Sequence, residues 1–199
     1  MNKLMRIIRG DLHGTGDIKG ATYFMSNLKV QVLDANGNPK KVRHYFGSSR
    51  LQKAIYSLIY RNKTILDLGS GLVTHAGVRL MSQDTAVTAG AATLSVMKNH
   101  GSGTGVTAAT ATDTALQTAI GTTATAGSNT NADASPNATM TSTATVSYSA
   151  TAAVTEWGLF SSTTLSGATM WDHKVFSAVN VANGDSIAFT YTLTINSGG

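Results

Sequence analysis

The sequence predicts a mainly β protein: an antiparallel β-sandwich with an N-terminal arm, a hairpin and one α-helix added to it. Three observations carry this. The first is alternation. From Ser186 to Ile195, Ile187, Phe189, Tyr191, Leu193 and Ile195 fall on one side and Ser186, Ala188, Thr190, Thr192 and Thr194 on the other, the period of a strand with one buried face. The second is composition. Hydrophobic residues make up 42% of the 199 and charged residues only 13%, against roughly 25% in an average domain. Polarity comes instead from Thr, Ser, Asn and Gly, and β-branched Thr packs well on a pleated surface. The third is spacing: strand-like runs recur with turn signals between them, as in sandwiches and barrels.

Taken in order, residues 1–22 read as an arm with a short strand near Leu4 to Ile8. "YFMSNLKVQVLD" alternates through Leu28, Val30 and Val32. Asn36-Gly37 is a hairpin turn signal, and "KKVRHYFG" is the expected return strand. "SSRLQKAIYSLIYRNK" is the one helix, capped by Ser48 or Ser49, with Leu51, Ala54, Ile55, Leu58 and Ile59 in a stripe at helical spacing. "LVTHAGVRLMS" reads as a strand, and "TLSVMKNHGSGTGV" as a strand entering a glycine-rich loop. "ATDTALQTAIG" offers a short helix capped by Thr112 or Asp113. Residues 122–139 carry no period and read as a long exposed loop. "MTSTATVSYSA" alternates again, placing Met140, Ser142, Ala144, Val146 and Tyr148 on one face. "AVTEWGLFS", "ATMWDHKVFSAV" and "SIAFTYTLTI" are the closing strands. Two parts are therefore expected: residues 1–69 for docking or oligomerisation, and residues 70–199 for the sandwich.

Charge follows the same division. Residues 1–79 hold thirteen Lys and Arg against four Asp, a net +9, and residues 80–199 hold two Lys against six acids, a net −4. A basic segment suits an acidic protein surface. The candidate docking residues are therefore the cations Arg6, Arg9, Lys40, Lys41 and Arg43 and the apolar stripe Leu51, Ile55, Leu58 and Ile59. Nucleic acid is not an expected partner: "KKVRHYF" at 40–46 comes nearest to a basic-aromatic patch, and reads as the polar face of a hairpin. Arg9 and Asp11 interrupt the only apolar run near the start, so no signal peptide is expected. No run of 18 apolar residues predicts a membrane span.

Catalysis is not expected. Cysteine is absent, which removes thiolate chemistry and disulfides. The five His are far apart in sequence without paired ligand spacing, so no metal and no cofactor are expected. "GSGTG" at 101–105 lacks the Gly-Lys-Ser/Thr of a phosphate loop. "RGD" at Arg9 to Asp11 matches an adhesion tripeptide in spelling alone. Trp157, Trp171, Tyr148 and Tyr191 read as core aromatics rather than a sugar platform. The only Glu, Glu156, stands amid apolar and small residues, where a carboxylate needs a partner. Lys174 and His173 on the next strand are the nearest choices, and Glu156–Lys174 is the candidate structural ion pair.

One resemblance bears on function. Glu156, Gly158, Leu159, Phe160, Phe176, Gly184, Asp185, Ser186, Ile187, Phe189 and Tyr191 match a Glu-x-Gly-Leu/Ile-Phe stretch, an aromatic segment and a Gly-Asp-Ser-Ile-x-Phe-x-Tyr run. In these residues the chain resembles virion proteins of tailed bacteriophages. "MKNHGSGTG" and "DTALQTAIGTTATAGS" extend the likeness over residues 94–199. The chain departs from it at Trp171 and His173, where related sequences often carry an Arg-containing segment. The resemblance implies a virion location, no catalytic residues, and the major capsid protein or other virion subunits as partners. The expected function is non-enzymatic: a capsid decoration or cement protein that forms a homo-oligomer. Alternatives are a neck, baseplate or tail-fibre attachment subunit, or a host-surface carbohydrate-binding module.

Overall fold

A computed structural model describes residues 23–41, 64–79, 94–134 and 137–196. They form two five-stranded antiparallel sheets packed face to face, a β-sandwich. The strands are β1 (Tyr23–Leu33), β2 (Ile65–Gly69), β3 (Leu72–Val73), β4 (Asn99–Gly103), β5 (Thr125–Ala126), β6 (Ser128–Ala134), β7 (Asn137–Ser147), β8 (Ala152–Phe160), β9 (Met170–Val181) and β10 (Ser186–Asn196). The first sheet runs β2-β1-β10-β7-β6 and the second β3-β9-β8-β4-β5.

The opening alternation is the centre of this architecture. β10 pairs with β1 and with β7 along its whole length. Ile187, Phe189, Tyr191 and Leu193 are buried, and they meet Leu28, Val30 and Val32 of β1 and Leu66 and Leu68 of β2 in one cluster. Val154, Trp157 and Leu159 of β8 and Val179 and Val181 of β9 close it from the other sheet. Trp157 stacks on Tyr191 with ring centroids 5.4 Å apart. Tyr148, Trp157, Trp171 and Tyr191 are all core residues, as their apolar neighbours predict.

The turn after β1 falls at the expected place. Gly37 takes φ 81°, which glycine adopts without strain. The Asp34 carboxylate accepts the N–H groups of Asn36 and Asn38 at 2.9 and 2.8 Å. β1 and β2 lie in the same sheet as β7 and β10, so sequence on both sides of residue 69 builds a single sheet. The return strand over 42–46, the helix stripe and the arm lie outside the described residues.

Three sequence expectations are corrected. Residues 122–139 are not a loop: they contain β5, β6 and the start of β7, and β6 pairs with β7 over seven register positions from Ser128↔Thr143 to Ala134↔Asn137. Its backbone supplies the pairing, so no apolar period is needed. Within the described part of "LVTHAGVRLMS", residues 72–79, the chain is a strand at Leu72–Val73 alone and residues 75–79 are helical. The Thr74 hydroxyl caps that turn by accepting the Gly77 N–H at 3.1 Å, and Gly77 lies so close to the Trp171 backbone that a Cβ would sit 2.6 Å from its carbonyl oxygen. The helix expected at "ATDTALQTAIG" is a series of bends. The Asp113 carboxylate instead accepts the Thr110 N–H and hydroxyl at 2.8 and 2.6 Å.

Candidate functional site

Strand β8 is buried at every position from Val154 to Phe160. Alternation sends Trp157 and Leu159 into the sandwich and Glu156, Gly158 and Phe160 to the opposite face. That outer face is covered by the chain itself. Residues 104–124, which we call the strap, cross it between β4 and β5. Backbone bonds from Thr104 N–H to the Thr118 carbonyl and from Ile120 N–H to the Ser102 carbonyl, both 2.8 Å, bind the strap to the edge of β4. Phe160, Met170 and Ala124 make a second small core beneath it, with Leu116, Leu165 and Ala168 packed against them.

The glycines of "GSGTG" make this approach possible. A Cβ on Gly103 would lie 2.3 Å from a Glu156 carboxylate oxygen and 2.4 Å from the Thr118 carbonyl oxygen, and one on Gly105 would lie 2.6 Å from the same carboxylate. The signal that resembles a phosphate loop in glycine content thus marks close contact with a buried carboxylate.

Glu156 is the hub. Its Oε1 accepts N–H groups from Gly105 at 2.9 Å and Thr118 at 2.8 Å. Its Oε2 accepts the Gln117 N–H at 2.9 Å and lies 3.2 Å from His173 Nε2. His173 Nδ1 in turn lies 2.7 Å from the Asp113 carboxylate. Both His173 and Glu156 side chains are fully buried, and Asp113 is 21% exposed. Ionised carboxylates only accept hydrogen bonds, so this geometry is satisfied when both ring nitrogens carry hydrogen. Burial would raise the pKa of Asp113, but the bonds from Thr110 and the contacts of His173 outweigh it and hold it below the usual range.

The Glu156–Lys174 pair is corrected accordingly. Register places Val175 opposite Glu156 and Lys174 opposite Trp157, so Lys174 leaves the strand on the other face. Its ammonium donates to the Ser70 carbonyl, and burial lowers its pKa against the opposing pull of Asp172 and Asp67. Of the two partners the sequence suggests, His173 is the one in contact. Asp113 was missed: it is sixty residues from His173, and it reads as a helix cap.

A second buried polar group can be tested for chemistry. His100 Nε2 lies 3.0 Å from Ser142 Oγ, and Nδ1 accepts the Trp157 indole N–H at 3.2 Å. Burial pushes the His100 pKa down to about 3, so the ring is neutral at ordinary pH. With Nδ1 an acceptor, the ring proton sits on Nε2 and is donated to Ser142. A serine that receives a hydrogen bond from its histidine is not activated by it, and both residues are wholly buried. The pair ties the two sheets together.

Asp172 completes the interior polar set. Its Oδ2 accepts the Tyr191 hydroxyl at 3.1 Å, and that hydroxyl accepts the Trp171 indole N–H at 2.9 Å. Burial pushes the Asp172 carboxyl up to about 6, against bonds from Tyr191 and Ser26 and the charges of Lys174 and His173.

Of the candidate docking residues, Arg6, Arg9, Arg43, Leu51, Ile55, Leu58 and Ile59 lie outside the described residues. Lys41 is exposed. The Lys40 ammonium is engaged within the chain, 2.5 Å from Asp185 Oδ2. That bond, with the Ala182 N–H, holds the Asp185 carboxyl below its usual range.

The outer face of the first sheet is of another kind. In register across it lie Ser128, Thr143, Thr190 and Lys29 in one row, and Thr130, Thr141, Thr192 and Asn27 in the next. Ala132, Thr139, Thr194 and Met25 make a third. Among these twelve positions Lys29 alone is charged, and Asp67 of β2 stands opposite it at the end of its row. No protein-family model, no characterised protein and no solved structure matches the chain.

Proposed function

We propose that this chain is a non-enzymatic structural component of a tailed-phage virion, and within it a decoration or cement protein of the head. The observation that carries the reading is how the described chain distributes its chemistry. Glu156, His173, His100 and Ser142 are buried and bonded to their own chain. The surface left for contact is a broad threonine lattice whose charges, Lys29 and Asp67, lie opposite each other at its β1–β2 side. The threonine rows of such a face can be buried against another protein without desolvating ions, which is the costly part of burial. The resemblance of residues 94–199 to phage virion proteins supports the same reading. The partners are the major capsid protein or neighbouring virion subunits, with the basic residues 1–79 providing attraction to an acidic shell.

The test is to label this chain in assembled particles and locate the label by electron microscopy. Label over the whole head is the expected result. Label confined to the tail vertex moves the protein to a neck or baseplate role, and particles without label overturn the virion reading. A variant lacking residues 1–22 should bind heads more weakly, because it loses Lys3, Arg6, Arg9 and Lys19. The binding that depends on those cations should fade as salt rises, since exposed charges are screened over about 8–10 Å at physiological ionic strength. Equal binding by both forms at every ionic strength removes the docking role of the arm.

A further inference from the structure

Among the described residues the two sheets end in strands of very different length. β3 and β5 close the second sheet with two residues each, and β2 closes one side of the first with five. β6 closes its other side with seven residues, paired to β7 without a register shift. A free strand edge presents a row of unpaired N–H and C=O groups, and proteins usually guard it with Lys, Pro, a bulge or brevity. β6 reads Ser-Asn-Thr-Asn-Ala-Asp-Ala. It carries no Lys, no Pro and no bulge, and Ser128, Thr130, Asn131, Ala132 and Asp133 are exposed.

We propose that the edge of β6 is a homodimer interface, occupied by β6 of a second copy in antiparallel register about a two-fold axis at Asn131. The occupant follows from the strand's self-complementarity. Centring the axis on Asn131, the middle residue of Ser128–Ala134, uses all seven positions. It sets Ser128 opposite Ala134, Asn129 opposite Asp133, Thr130 opposite Ala132, and Asn131 opposite its own symmetry mate. The one charge, Asp133, then faces an amide rather than its own copy, so no like charges meet. The inner-face row gains as well. Asn129 Oδ1 is buried and finds no donor among the described residues, while Asn129 Nδ2 is spent on the Met97 carbonyl at 3.3 Å. The register places the amide of the second copy's Asn131 diagonally beside it, a donor for that oxygen. On the outer face, the threonine rows would continue from one copy into the next as a single ten-stranded sheet.

This inference rests on the strand edge and not on the virion reading, so a dimer that never binds heads would leave it standing. The chain has no cysteine, which permits a clean register test on the full chain. Directly opposed residues in an antiparallel pair have Cα atoms about 4.5–5.5 Å apart, inside the span of about 4.4–6.8 Å that a disulfide bridges. Asn131→Cys should therefore cross-link to itself on mild oxidation. Asn129→Cys and Asp133→Cys should each cross-link many-fold more slowly alone, and efficiently when the two variants are mixed. In sedimentation, the unmodified chain should run at twice the chain mass. Asn131→Lys, which opposes two cations at an exposed position, should run at the chain mass with an unchanged circular dichroism spectrum. A monomeric unmodified chain throughout the micromolar range overturns the proposal. So does an Asn131→Lys variant that keeps the oligomeric mass, or equal self-cross-linking at all three positions.

Discussion

Glu156 sits where a sequence reader would least place a carboxylate, and its surroundings explain how it is tolerated. A buried charge is stable only when it is paired and its lone pairs are filled. Three backbone N–H groups and one imidazole fill them here. Glu156→Gln keeps the volume but turns one acceptor into a donor, aimed at a group that also donates. The expected loss is about 3–5 kcal/mol, the range for breaking a buried ionic contact, read from urea unfolding. Hydrogen exchange should localise it, with the amides of Gly105, Gln117 and Thr118 exchanging faster than those of β10. Unchanged exchange at those three amides would mean that Glu156 does not hold the strap. The isolation of Glu156 was visible in the sequence as a demand for a partner, but the identity of the partners was not. Asp113 and the three amides come from a segment with no period, and only the fold brings them to β8.

At the scale of elements, β10 and β7 were legible because each has one face in the core and one face in water. Simple alternation then encodes both pairing and orientation. Losing Phe189 should show it: Phe189→Ala is expected to cost about 3–5 kcal/mol through the cavity left behind. Thr190→Ser on the outer row should change stability by less than about 1 kcal/mol. Chemical denaturation of the two variants side by side checks this, and the reverse order would invert the facing of the sheet. β6 was illegible for the complementary reason. As a margin strand it buries little apolar area, and Asn129, Asn131 and Asp133 line a groove of about 550 Å³ rather than the core. The strap was hidden similarly, since it is held by backbone bonds and by glycines that permit contact, neither of which leaves a hydrophobic pattern. The strand at Leu72–Val73 is shorter than the sequence suggests because Thr74, a β-former by propensity, acts here as a helix cap.

For the molecule as a whole, two buried groups set opposing responses to acid. His100 has its folded pKa lowered to about 3 by burial, against about 6.5 in an unfolded chain. As pH falls below 6.5 the unfolded state takes up a proton that the folded state refuses, so stability falls. Asp172 has its folded pKa raised to about 6, against about 3.9 unfolded. As pH falls through 6 the folded state takes up the proton first, so stability rises until the unfolded carboxyl titrates too. Asp172→Asn should therefore steepen the loss of stability between pH 6 and 4, and His100→Gln should flatten or reverse it, as followed by urea midpoints across that range. Parallel pH profiles for the two variants would show that neither group governs the response. The strand order of the first sheet has a further consequence, which concerns timing. β6–β7 and β8–β9 are neighbours along the chain and can pair as soon as they leave the ribosome. β10 alone joins β1 to β7, and among the described strands it is the last in chain order. A nascent chain that stops short of Ser186 holds β2-β1 and β7-β6 as two separate ribbons, with the Leu28, Val30 and Val32 row uncovered on the side where Phe189 belongs. Long-range closure of this kind is slow and leaves apolar surface exposed until it happens. The described sheet therefore closes only once β10 has been translated, and a chain cut short before Ser186 is expected to be digested faster by a protease than the full chain.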